Sequence, residues 1–175
     1  MLLMLNAMNY QGRVEAGKAV EKEILAVLRK AGIEIAEPTA DEDMREKIDG
    51  WMTWLGERVP IQVKFREGGN DVIFEIIKDI DKSVPGRDMV SKAVLYVVMD
   101  TANVIRLFAV EQIKAMAILV RDHVLGELRQ FPNKTNWGSN TACNVKITVD
   151  KRHGNRKMMT YFNPRMLKSL GEWRK

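Results

Sequence analysis

A mixed α/β domain built around one central sheet is the fold class that this sequence predicts. Three observations predict it. A helical apolar stripe comes first, a run of strand-like segments separated by glycine-bearing joints follows, and a second apolar helix comes after a nearly continuous apolar strand. The 175 residues, 46% hydrophobic and 29% charged, suit a single domain over 1–175 with a real core. That core is expected over about 13–130, with a basic C-terminal extension over about 144–175.

Residues 13–31 read as the first helix, because Val20, Ile24, Val27, Leu28 and Ala31 fall on one face and Gly32 is a plausible stop. The segment IEIAEP is short and extended, and TADEDMREK is polar, a loop with at most a helical turn. Three strand candidates follow: KIDGWMTW, VPIQVKFR and NDVIFEII. The joints LGER and EGGND suit hairpins, so the three are expected to form an antiparallel meander. SVPGRD reads as a loop, KAVLYVVMD as a strand buried on both faces, and IRLFAV as another strand. EQIKAMAILVRDHVLGELRQF carries Ile113, Met116, Ala117 and Val120 at helical spacing. Residues 132–144 read as loop, VKITVDKR and MTYF as a hairpin around the basic turn KRHGNRK, and NPRMLKSLGEW as a short terminal helix.

No apolar run approaches the roughly 18 residues that a membrane helix needs. The start, MLLMLNAMNY, has no basic region before its few apolar residues and does not read as a signal peptide. With one cysteine, Cys143, an intracellular, cytoplasmic protein without an internal disulfide is expected. One Cys and two His (His123, His153) argue against a structural zinc site.

The net charge of +5 is unevenly placed. From Asn144 to Lys175 there are nine basic residues and two acids, net +7, whereas residues 1–143 are net −2. A basic lobe on a near-neutral body points to a polyanion such as nucleic acid; a solvated tail is the plainer alternative. The candidate phosphate contacts are Arg13, Lys18 and Lys22 on the first helix, Arg66 after the second strand, and Lys151, Arg152, Arg156 and Lys157 at the basic turn. Trp51 is expected in the core, and His153 at a hairpin tip is at best one more phosphate contact.

The chemistry-bearing pattern is Asp49 on one strand and Gln62-Val63-Lys64 on the next. Alternation puts Gln62 and Lys64 on one face, with Ile61, Val63 and Phe65 on the other. A hairpin around LGER brings all three polar groups to one end of the sheet. Carboxylate and amide oxygens are hard ligands that suit Mg²⁺. An ammonium beside them can hold a water or stabilise charge on a phosphoryl group. A half-exposed strand with two ordinary polar residues would look the same.

This arrangement resembles the PD-(D/E)XK nuclease superfamily, with glutamine in the place of the second acid. Over residues 13–80 it is similar to the archaeal Holliday-junction resolvases, through Gly17, the helix with Glu21-Lys22-Glu23, Gly32 and the strand Lys47-Ile48-Asp49. The resemblance implies a restriction-endonuclease-like αβββαβ core with a central mixed sheet, to which the chain adds its basic C-terminal β-hairpin. It implies Glu21, Asp49, Gln62 and Lys64 as catalytic residues, with Glu23 as the fallback for Glu21. It further implies a Mg²⁺ site, or Mn²⁺ in its place, made by Glu21, Asp49, Gln62 and the Val63 carbonyl. DNA, branched or duplex, is the implied substrate, and a homodimer is implied by the resemblance alone. The expected activity is therefore metal-dependent phosphodiester hydrolysis, structure-selective if the resolvase likeness extends that far. A restriction-like, repair or viral nuclease fits the same residues. A non-catalytic nucleic-acid-binding protein on the same scaffold is the rival, with Gln62 as its best support.

Overall fold

The computed structural model describes residues 10–65, 71–138, 145–152, 154–164 and 167–175. Helix α1 (Tyr10–Lys30) lays Ile24, Leu25 and Leu28 onto a sheet whose facing residues are Met52, Ile61, Leu95, Val97, Met99, Ile105 and Leu107. It ends as expected at Gly32, where the Gly32 and Ile33 N–H groups donate to the Arg29 and Leu28 carbonyls, both at 3.0 Å. Strand β1 (Ile35–Ala36) and a single π-helical turn (Glu42–Glu46) lead to β2 (Gly50–Trp54) and β3 (Glu57–Phe65). The β2–β3 hairpin closes at Trp54–Glu57, leaving Leu55 and Gly56 as a two-residue turn with φ of 52° and 85°. Positive φ at both central positions is what a twisted hairpin of this length demands.

After β3 the chain departs from the expected meander. Strand β4 (Val72–Asp79) does not pair with β3; it joins a second, antiparallel sheet of five strands. The free edge of β3 is taken instead, in parallel, by β6 (Leu95–Met99), so that Gln62 lies abreast of Tyr96 and Lys64 abreast of Val98. Strand β6 is buried along its whole length, as its apolar run predicts, and such a strand needs a neighbour on each side. Its other neighbour is β7 (Val104–Ala109). The link from β3 to β6 runs through β4, the two-residue β5 (Val84–Pro85) and the single turn α2 (Arg87–Val90). The first sheet is therefore mixed, with order β1-β2-β3-β6-β7 and β11 (Gly171–Arg174) beyond β7.

Helix α3 (Val110–Gln130) follows β7 directly and buries Ile113, Ala117, Val120, Val124 and Leu128. These meet Tyr96 and Phe108 of the first sheet and Phe74, Ile147, Val149, Met158 and Phe162 of the second in one apolar core. The segment read as loop over 132–144 contains β8 (Asn136–Trp137), held by Trp137 Nε1 donating to Glu127 Oε2 at 2.7 Å. The basic hairpin forms as β9 (Lys146–Arg152) and β10 (Asn155–Phe162), and it is an inner part of the second sheet, because β10 also pairs with β4. The expected terminal helix is absent from the described residues. Gly171–Arg174 is β11, antiparallel to β7, and Trp173 packs edge-on to Trp54 at 6.1 Å. No helix among the described residues is long and apolar enough to cross a membrane.

One close approach governs the β4–α2 junction. A Cβ on Gly86 would lie 2.1 Å from the Glu75 carbonyl oxygen, so only glycine lets this segment seat on β4, where its N–H donates to Ile76 O at 2.9 Å. Gly86→Ala should lower the unfolding free energy by about 1–3 kcal/mol, at the upper end because the obstructing atom is backbone. A urea denaturation midpoint equal to wild type would show that β4 and α2 separate without penalty.

Candidate active site

Asp49 sits one residue before β2, where the ladder with β3 begins: its N–H donates to Ile61 O at 2.8 Å. Its side chain turns back along β3, and Oδ2 accepts the Val63 N–H at 2.8 Å. The carboxylate is thus fixed to the strand that carries Gln62 and Lys64. Burial raises its pKa above the ordinary value. The Val63 N–H and the charges of Arg87 and Lys64 oppose that rise, and Asp43 adds to it.

Gln62 and Lys64 share the face of β3 that looks toward the second sheet. Gln62 is 1% exposed, and its Oε1 has no hydrogen-bond partner among the described residues. An acceptor left so costs about 1–3 kcal/mol; Trp51 Nε1 and Thr148 Oγ1 are buried without a partner in the same way among the described residues. Lys64 forms an ion pair with Asp88 and lies 5.2 Å from the centre of the Tyr96 ring. Val63 and Ile61 point to the opposite face, toward α1, as alternation predicts.

Glu21 comes from α1. Its carboxyl is raised from its ordinary 4.5 to about 7, by burial first and then by the charges of Asp49 and Asp43, with Lys18 opposing. Glu21, Asp49, Gln62, Val63 and Lys64 all line one cavity of about 290 Å³, together with Arg87. A second cleft of about 460 Å³ adjoins it through Glu21, Asp49 and Arg87 and adds Lys18, Lys22 and Asp43. The residues singled out in the sequence for metal chemistry are therefore brought together by the fold.

Carboxylate, amide and backbone carbonyl oxygens are of the hard kind that Mg²⁺ takes, and Glu21, Asp49, Gln62 and Val63, which carry them, line the same cavity. The two upward-shifted carboxyls are the observations that fit a cation there, and the unpartnered Gln62 oxygen beside them is itself closed to solvent. Among the described residues no group of three or more His, Cys, Asp or Glu is arranged to hold a metal ion, so the set depends on its neutral oxygens.

The basic residues divide. Lys18 and Lys22 line the adjoining cleft. Arg156 is drawn into the fold, with Nη2 at 2.5 Å from Asp81 Oδ1 and Nη1 at 3.3 Å from Pro132 O. Lys157 reaches Glu75 at 3.4 Å, and Lys151 is exposed. Arg66, His153 and Cys143, and the side chains of Arg13 and Arg152, lie outside the described residues. Trp51 is half-buried with Arg58 stacked over it at 4.7 Å.

Arg87 and Asp88 went unnoticed in the sequence, where SVPGRD read as a plain loop. Arg87 lies at the cavity with Nη2 3.9 Å from Asp49 Oδ1, and its backbone N–H donates to Glu75 Oε1 at 2.9 Å. Their only linear signal is an adjacent basic–acidic pair after Pro-Gly, a common turn pattern. Comparison with protein-family models, with curated proteins and with solved structures finds no match for this chain.

Because the folded protein holds the Glu21 proton up to about 7 while an unfolded chain releases it near 4.5, stability should fall as pH rises between those values. Glu21→Gln removes this dependence, so its urea midpoint should exceed that of wild type at about pH 8 and converge with it at about pH 4, below the unfolded value. A carbon-13 titration of the Glu21 carboxyl should move down in Asp49→Asn; an unmoved titration would separate the two carboxyls electrostatically.

Proposed function

We propose that this protein is a Mg²⁺-dependent DNA endonuclease that hydrolyses phosphodiester bonds, of the PD-(D/E)XK type. The observation that carries the reading is the convergence of Glu21, Asp49, Gln62 and Lys64 on one cavity, with a buried and unpartnered amide oxygen among them. The mixed first sheet, with α1 on one face and the Asp49-to-Lys64 hairpin at its centre, supports a restriction-endonuclease-like core. The departure of β4 into a second sheet is this chain's own variation on such a core.

Asp49, Gln62, the Val63 carbonyl and Glu21 would hold the ion, Glu21 directly or through a water. The bound ion would supply charge neutralisation at the scissile phosphate and an acidified water. Lys64 is an ammonium in an ion pair, so its part is to donate: it orients the attacking water and faces the charge that grows on the phosphate oxygens. Arg87 at the cavity, with Lys18 and Lys22 in the adjoining cleft, would neutralise the phosphates on either side. Structure-selective cutting of branched DNA and a two-fold homodimer extend the proposal on the resemblance of residues 13–80 to the junction resolvases.

A second reading has its own observation. Gln62 stands where an acid would add a third carboxylate, and a non-catalytic nucleic-acid-binding protein would have no need of one.

Labelled linear, flap and four-way-junction DNA, incubated with Mg²⁺, Mn²⁺ or EDTA, separates the two. The expected result is cutting with either metal and none with EDTA, and a loss of about 10²–10³-fold in Asp49→Ala and in Lys64→Ala. Salt-sensitive binding without cutting under any condition would leave the binding protein. Gln62→Glu adds the missing charge to the oxygen set, so the Mg²⁺ concentration for half-maximal cutting should fall. An unchanged or higher requirement would remove Gln62 from the ion's ligands.

A further inference from the structure

Asp88 stands behind Lys64, outside the cavity. Its side chain is 5% exposed, and donors from three strands converge on it. Lys64 Nζ comes from β3, the Glu75 N–H from β4 at 2.6 Å, and the Tyr96 hydroxyl from β6 at 3.3 Å. The support under it is stiff. Gly86 is pressed onto the Glu75 backbone, and the next N–H, that of Arg87, is bound by the Glu75 carboxylate. Lys64 by contrast has a flexible four-carbon stem and three rotatable donors. Left to itself it would sample many directions; between Asp88 and the face of Tyr96 it is confined to one.

We infer that Asp88 is the positioning residue for Lys64: it pins the ammonium at the cavity wall so that its remaining N–H donors meet the attacking water and the phosphate oxygen. Asp88 touches neither, since Lys64 stands between. The kinetic consequence rests on the nuclease reading; the pinned ammonium does not.

Asp88→Asn keeps the size and leaves one oxygen, for the Glu75 N–H or for the Tyr96 hydroxyl but not for both, and it removes the charge that holds Lys64. Two measurements are made on the full chain. The first is the proton–nitrogen NMR signal of the Lys64 ammonium, identified by its disappearance in Lys64→Arg. It should be visible and slow to exchange in wild type and lost in Asp88→Asn. The second is cleavage with Mg²⁺, where kcat should fall about 10–100-fold while KM for DNA stays within about twofold. Arg106→Gln, which breaks a buried pair with Asp100 at 2.5 Å away from the cavity, is the control for lost stability alone.

A Lys64 signal that persists in Asp88→Asn overturns the assignment, as does an unchanged kcat. A kcat loss matched by Arg106→Gln at equal loss of melting temperature overturns it too. If Asp88→Asn does not fold, Asp88→Glu keeps the charge but moves it by one methylene. The signal should then remain while kcat drops, and an unchanged kcat overturns the assignment. A wild type that cuts nothing overturns the nuclease reading, and loss of the Lys64 signal in Asp88→Asn then supports the pinned ammonium on its own.

Discussion

One buried carboxylate joins the two sheets. Asp88 accepts from β3 and β6 of the first sheet and from β4 of the second. Placing a carboxylate there carries a penalty of several kcal/mol unless partners replace its water. Three donors replace it here, one of them charged. Breaking such a network by removing one member is costlier than never having built it, because the remaining charge stays buried. This constraint explains the β4–α2 junction. The α2 turn must press against β4 closely enough for Asp88 to reach the Glu75 N–H, and glycine at position 86 is what permits that approach.

The cavity shows the opposite economy. Glu21 and Asp49 face it with both carboxyls shifted upward, so their ionised forms are under-compensated. Of the nearby cations, Lys64 is already engaged by Asp88, and Arg87 stands 3.9 Å off. Gln62 adds a buried oxygen without a donor. Buried side-chain atoms without a partner occur elsewhere among the described residues, at Trp51 Nε1 and Thr148 Oγ1, but the two upward-shifted carboxyls both lie at this cavity. Destabilising groups gathered in a single cavity are a signature of a site kept for something other than stability.

Much of this was legible in the chain. The stripe of Ile24 and Leu28, the stop at Gly32 and the hairpin turn at Leu55-Gly56 are local signals, and local signals survive folding. Alternation in VPIQVKF was enough to place Gln62 and Lys64 on one face. Partner choice was not legible. Nothing within NDVIFEII says that it pairs with a strand some 80 residues later, and the apolar run of β6 competes for the edge of β3 from beyond it. LKSLGEW failed as a helix for a similar reason: Trp173 gains more against Ile105 and Trp54 in a strand than a short exposed helix could offer. Asp88 was hidden because its meaning lies in three contacts, none closer than 8 residues along the chain.

The basic C-terminal segment also changes its meaning once folded. Read as composition, it is a polyanion-binding lobe. In the fold, Arg156 braces Asp81 and Lys157 braces Glu75, so part of that charge is consumed internally. Two of the cations that line the cleft come from α1, where Lys18, Glu21 and Lys22 fall on one helical face, and the third is Arg87. A single helix thus covers the core with one stripe and presents a carboxylate flanked by two ammonium groups with another. The hairpin still bears on the site, by a different route. Glu75 receives Lys157 on one oxygen and the Arg87 N–H on the other, so charge on β10 steadies the short segment that carries Arg87 and Asp88.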